Sequence, residues 1–379
     1  MHELAGAYPD DLDAAALAAE SAMELRAWQW YTPSGDPAPG TDAIVASLEN
    51  ILKREPLHIG ANHYYIHMTE GSLHPERALI SAQRLRSMNF EAGAAHLVHM
   101  PAHVYMRTGD FAAAAAANEH ASTHDLAYKQ GAHEADPEAS GYHDHNLTML
   151  AAAYGNEGQW RNARRVAAML AADGAQVPAM FVYLRFHRWN DILALKRPAV
   201  DPGEPLRIAV WHFARGMAFA GGGRTNAALG ELNAVRQSRR SLHVAAMPGS
   251  FNSSDSVLGL ATGVLAAAID GARGRRSSQI ALLRDAVKQQ DGLLYIEPPD
   301  WYAPVRESLG AALFAAREYR AADQVFAEDV RRNARNPRSL FGRAQALGAQ
   351  GKRAEAARVR RAFNAGWKNA DTQLAMPAL

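Results

Sequence analysis

Apolar positions along the chain fall at three- and four-residue steps, separated by short polar turns, and no long run of alternating β-branched residues is present. The stretch "RESLGAALFAAREYRAADQVF" (306–326) shows the pattern. Leu309 and Leu313 share one helix face, and Ala322 and Phe326 share another beyond a polar turn. Thirty-four residues after Ala322 comes Ala356, in "LFGRAQALGAQGKRAEAARV", with Gly351 between two helical segments. The opening "DDLDAAALAAESAMELRAW" predicts a further helix with Asp caps. Alanine dominates the apolar fraction, which suits closely packed helices.

The same frame fits the N-terminal half. Ala78 in "SLHPERALISAQRL", Ala114 in "YMRTGDFAAAAAANEHA" and Ala163 in "AYGNEGQWRNARRVAAML" take the small-residue place of Ala322, with turns at Gly109 and Gly158. The longer gap from 114 to 163 accommodates the polar "HEADPEASG" (133–141) as an inserted loop. Helix pairs are also predicted across "RIAVWHFARGMAFAGGGRTNAALGEL" and "VLGLATGVLAAAIDGARGRRSSQIALLRDAV". A 34-residue helix–turn–helix period with Leu-Gly and Ala-x3-Phe is the tetratricopeptide (TPR) pattern. The expected fold is therefore all-α: TPR-type pairs stacked into a right-handed α-solenoid. Residues 1–175 would hold the N-terminal repeats and 176–379 the C-terminal ones, continuous as one superhelix.

Histidines fall at fixed offsets from these alanines. Fifteen residues before the anchor lie His63 and His99, eleven before it His67 and His103, and eighteen before it His96 and His145. With sixteen histidines in 379 residues, about one in 24, nine such slots should hold fewer than one by chance, and they hold six. All six sit on the first helix of a pair, the element that lines the concave surface of a TPR stack. His63/His67 and His99/His103 are i, i+4 pairs able to grip one ion. His96 and His145 would complete one site or divide the ligands between two ions. Glu70, three residues after His67, is placed to ligate, to orient a histidine or to act as a base. Pro101 should kink its helix between His99 and His103.

Other residues have plainer readings. His74, His120, His124, His133 and His187 read as surface or hydrogen-bonded core histidines, His58, just ahead of the first stripe, is evenly balanced between such a role and the site, and His143 should point away from His145. Tyr64, Tyr65 and Tyr105, and Met68, Met100 and Met106, read as packing residues. In "LLYIEPPDWYAPVRESLG", Asp300 is a candidate N-cap before the following repeat; alternatively Tyr295, Glu297 and Trp301 fold over the site, with Glu297 as ligand or base.

Composition narrows the chemistry. The chain has no cysteine, which excludes disulfides, thiolate zinc sites and thiol catalysis. The formal net charge is +1, and the short clusters "RQSRR" and "ARGRR" read as solvated loop ends, so no nucleic-acid partner is expected. The N-terminus carries no signal-peptide pattern and no stretch reads as a membrane span, which predicts a cytoplasmic protein. Zincin, Walker, dinucleotide and esterase motifs are absent. Many imidazoles with few carboxylates favour one or two transition-metal ions, copper or zinc first and iron next.

The motifs "HIGANHYYIH", "HPERAL", "AAHLVHMPAHVYMRTGDF", "YHDHNL" and "YIEPPDWYAPVRESLGAALF" together resemble a bacterial family of TPR-repeat proteins, from about residue 8 to the end. Ala95 and Ala102 stand where that family usually has Gly and Ser, and every histidine is kept. The resemblance implies the fold and lends no activity. The residues point to a metal-dependent enzyme, an oxidoreductase before a hydrolase, acting on a small organic molecule. Glu70 and Glu297 would be its proton-moving carboxylates. The alternative is a scaffold gripping a partner peptide in the concave groove.

Overall fold

The computed structural model describes residues 1–131, 137–200, 206–242 and 250–379. Among the described residues the architecture is all-helical, with neighbouring helices packed in pairs; β structure is limited to one isolated bridge between Tyr31 and Pro37. Two compact units are formed: Met1–Leu150 with Leu294–Glu297, and Ala151–Leu293 with Pro298–Leu379. That division falls inside a helix at 150/151, whereas the repeat frame placed it at 175/176.

The first unit runs α1 (His2–Ala7), α2 (Leu12–Glu24), α3 (Thr41–Arg54), α4 (Ile59–Glu70), α5 (Leu79–Ser87), α6 (Ala95–His99), α7 (Pro101–Thr108), α8 (Phe111–Gly131) and α9 (Pro137–Glu157), whose end passes into the second unit. Asp11 caps α2, its carboxylate accepting from the Ala14 N–H at 2.9 Å. His58 caps α4 in the same way, Nδ1 accepting from Ala61 N–H at 3.2 Å, so this histidine is a buried cap outside the cluster. α3, which buries Val45, Leu48, Ile51 and Leu52, packs against α4, which buries Ala61, Tyr65, Ile66 and Met68.

One expectation is corrected here. Residues 137–141 are not loop: Pro137 opens α9, where its fixed φ suits the first helical turn. The remainder of that predicted loop, His133 included, lies outside the described residues. The helix is interrupted where Pro101 was expected to kink it: α6 ends at His99, Met100 keeps helical dihedrals, and Pro101 begins α7.

The second unit continues with α10 (Trp160–Ala172), α11 (Gln176–Arg185), α12 (Trp189–Ala194), α13 (Arg207–Gly221), α14 (Thr225–Leu242), α15 (Ser254–Ala272), α16 (Arg276–Asp291), α17 (Val305–Ala315), α18 (Tyr319–Arg332), α19 (Pro337–Ala349) and α20 (Arg353–Gly366). The pairs α13/α14, α15/α16, α17/α18 and α19/α20 each turn through one left-handed residue: Gly223, Gly274, Arg317 and Gly351. Phe326 is fully buried between Gly310 and Gly342, and a methyl group on either glycine would overlap its ring. The anchoring alanines 78, 114, 163, 322 and 356 are all buried.

Trp301 does not cover the histidines. It is a core residue of the second unit, its ring 5.4 Å from Phe181 and 5.3 Å from Phe213. Asp300 is not a helix cap either; it accepts from Ser250 and Asn252, and α17 begins after Pro304 without a side-chain cap. Among the described residues, α15 alone has the length and hydropathy of a membrane span, and half of that window is buried inside the protein.

Candidate metal centre

Three elements of the first unit bring the histidines together. α4 presents His63 and His67 from one face, the broken helix α6/α7 presents His96, His99 and His103, and α9 presents His145. Neighbouring rings lie with centroids 4.6 to 6.1 Å apart. Three groups bring their ligand atoms within 4.8 Å of one another: the all-imidazole triads His63/His67/His96 and His99/His103/His145, and His67/Glu70/His103, which bridges them. The first triad is half-buried; in the second, His99 and His103 are fully buried and His145 half-buried. His143, two residues from His145, turns the other way to Asp125 Oδ2 at 3.1 Å.

The hydrogen bonds behind the rings decide where their protons sit. Glu70 Oε1 accepts from His67 Nδ1 at 2.8 Å and Oε2 from His103 Nδ1 at 2.6 Å, so one carboxylate serves both triads. Asn118 Nδ2 donates to the Ala114 carbonyl at 2.9 Å, which leaves Asn118 Oδ1 as acceptor for His99 Nδ1 at 2.6 Å. His67, His99 and His103 therefore carry their Nδ1 protons, and their Nε2 atoms are left as the ligating nitrogens.

Those Nε2 atoms meet. His99 Nε2 lies 2.8 Å from His103 Nε2 and 2.9 Å from His145 Nε2, and His63 Nε2 lies 3.0 Å from His96 Nε2. One lone pair on His99 cannot satisfy two donors, and facing lone pairs repel. Two imidazole nitrogens on one tetrahedral ion, each about 2.0–2.1 Å from it, sit about 3.3–3.4 Å apart, so these pairs would part by a few tenths of an ångström to take one up. His96 Nδ1 is a further sign of an incomplete site: it is buried and has no hydrogen-bond partner among the described residues.

Electrostatics agree. Burial, reinforced by neighbouring imidazoles, pushes His63, His96 and His99 well below the ordinary histidine range and His145 down to about 3. Burial lowers His67 as well. At neutral pH these rings are neutral, the form able to bind a metal ion. His103 differs: burial opposes its charge, but the Glu70 carboxylate outweighs burial and raises it. Glu70 is itself buried, and the two imidazoles hold it well below the usual carboxylate range in spite of that burial. Its geometry is that of an orienting carboxylate behind the ligands.

The segment Leu294–Glu297 reaches this unit from far along the chain, and Tyr295 donates to Glu70 Oε2 at 3.1 Å. Glu297, hydrogen-bonded to Tyr295, is raised to about 7 by burial and then by the Glu70 charge. Rings also cover the first triad: Tyr64 on His63 (4.9 Å), Trp28 edge-on to His67 (5.3 Å) and Tyr142 on His96 (4.6 Å). Trp28 holds φ at 58°, a strained conformation of the kind that collects at functional sites. Sequence reasoning passed over Asn118, Trp28 and Arg107. Nothing in their local spacing marks them, because each meets the site only through packing.

The donor set, imidazoles without thiolate, suits copper, zinc, nickel or iron, and three imidazoles per triad leave a tetrahedral ion one open position. No protein-family model and no curated protein matches the chain.

Proposed function

We propose that the protein is a TPR-type superhelix that binds two transition-metal ions, one in each histidine triad, and uses them in oxidoreductase chemistry on a small organic molecule. The observation that carries this reading is the convergence of Nε2 atoms whose protons have been placed elsewhere: Glu70 and Asn118 take the Nδ1 protons of three ligands, and the nitrogens left over face one another at 2.8 to 3.0 Å. Recurrent left-handed turns and buried anchoring alanines, with Ala322 and Ala356 34 residues apart, support the TPR reading.

When bound, the ions would supply Lewis acidity or one-electron chemistry at their open positions. The chain's own residues hold the ligand tautomers, exclude water from the second triad, and keep a carboxyl group of raised affinity for its proton nearby at Glu297. An imidazole-only donor set without a separate nucleophile favours oxidation over hydrolysis. A peptide-binding scaffold is the weaker reading, because a groove that grips a partner needs accessible donors and two of these histidines are fully buried.

Elemental analysis of the purified, tag-free protein beside a His67→Ala/His103→Ala double variant, with circular dichroism to confirm folding, tests this. Stoichiometric copper, zinc or iron in the wild type, absent from the variant, supports the centre and directs screening to oxidations. Absence of metal from both, even after reconstitution, would leave the scaffold as the better account.

A further inference from the structure

His120 and His124 stand one turn apart on α8 and belong to neither triad. α8 turns the buried Asn118 inward to His99; two residues on, His120 is exposed, because residues two apart on a helix do not share a face. The two imidazole rings meet edge to face, with centroids 4.8 Å apart and an interplanar angle of 79°.

The proton on His124 is placed by its surroundings. Nδ1 lies 3.1 Å from the Glu91 carbonyl oxygen, which can only accept. Nδ1 therefore carries the proton, and in the neutral ring Nε2 keeps a lone pair. The same carbonyl accepts from the Ala94 N–H at 3.0 Å, and the Tyr128 ring, one turn further along α8, lies over Gly93, 3.8 Å from where a Cβ would sit. The turn that carries the carbonyl is thus packed on α8, and the ring it orients is held in place. His124 Nε2 then faces His120 Nε2 at 3.3 Å. That is longer than the usual span of an N–H hydrogen bond, about 2.7–3.2 Å, and it equals the separation of two imidazole nitrogens on one tetrahedral ion, about 3.3–3.4 Å. The buried pairs, at 2.8 to 3.0 Å, must part to admit an ion; this pair need not.

We propose that His120 and His124 form a third metal site, on the surface of the first unit. It takes a borderline divalent ion, zinc, nickel or copper(II), through both Nε2 atoms and leaves water on the ion's remaining positions. Imidazole is a ligand of choice for these ions, and a carbonyl behind one ring is the outer support that fixes a ligating tautomer. The site stands on residues separate from the triads and does not need them. With two protein ligands instead of three, on an exposed face, it holds its ion more loosely and exchanges it with solution. Those are the properties of a pick-up position for the ion, not of a permanent cofactor site.

Zinc titration of the full-length, tag-free chain by calorimetry and equilibrium dialysis tests this. Wild type is compared with His120→Gln and His120→Ala/His124→Ala, each checked for folding by circular dichroism. His120 is exposed, where substitutions seldom disturb a fold. A glutamine there can still donate to His124 Nε2, so it keeps a hydrogen bond between the side chains and removes only the ligand. Wild type should bind one zinc ion more weakly than any held by the triads, and both variants should lose that ion while tighter ones bind unchanged. A weak ion bound equally well by His120→Gln, or no zinc in wild type beyond that in the triads, would overturn the site. Weak zinc lost from both variants, with no tight ion in any of the three proteins, would uphold this site and overturn the triads instead.

Discussion

Replacing Glu70 by Gln tests how the two triads are held. The carboxylate accepts one proton from His67 Nδ1 at Oε1 and one from His103 Nδ1 at Oε2. An amide of the same shape has one oxygen and one NH2, so it can accept from only one imidazole. Tyr295 donates on the Oε2 side, which favours placing the amide oxygen there, and the NH2 then faces His67. His67 must accept at Nδ1 and move its proton to Nε2, blocking the nitrogen that would ligate in the first triad. Forcing the ligating tautomer back leaves two buried donors opposed, about 1–3 kcal/mol, or roughly 5- to 150-fold in affinity. Losses of about 10- to 100-fold are usual for such outer partners of a metal ligand. His103 keeps an acceptor, so the second triad should lose much less. Zinc titration by calorimetry should therefore change from two tight ions in wild type to one tight and one weakened ion in Glu70→Gln. Two ions bound as tightly as in wild type, or equal weakening of both, would refute the reasoning that this carboxylate sets the tautomers.

The complementary variant is Asn118→Ala, which removes the acceptor for His99 Nδ1 and should weaken only the second triad, about 10- to 100-fold, in the same titration. Stability of the metal-free protein should carry the signature of Glu297. Its carboxyl is raised to about 7 in the fold against an ordinary 4.5, so between those values the native state keeps a proton that the unfolded chain has released. Stability is then full below the unfolded value and is lost as pH rises through the folded one, by on the order of 3 kcal/mol at pH 8. Glu297→Gln, which cannot ionise, should match wild type near pH 4 and melt at higher temperature at pH 8; parallel melting curves at both pH values would contradict this.

Helices and histidine pairs were legible because both are local. An apolar step of three or four residues specifies a helix face, and the same step puts His63 beside His67 and His99 near His103, so the spacing of "HYYIH" and "HMPAH" already contained four of the six imidazoles. The repeat frame extended this across three helices to His96 and His145. Reading failed where a residue's place depends on what it packs against. Trp301 looked like a lid and is a core ring on Phe181 and Phe213; Asp300 looked like a cap and accepts from Ser250 and Asn252. The polar stretch 137–141 read as loop on composition, yet Pro137 is well suited to start a helix.

By itself, then, the amino-acid sequence determined an all-helical chain with six imidazoles at helical spacings and two carboxylates as their candidate partners. Tertiary structure alone decided that the imidazoles divide into two triads, which nitrogen of each carries its proton, and that one carboxylate stands behind both. Those features depend on contacts between positions far apart in the chain: Glu70 meets His103 across 33 residues and Tyr295 across 225. Tautomers follow hydrogen-bond partners, and partners at such separations are chosen by packing, which leaves no periodic mark on the sequence.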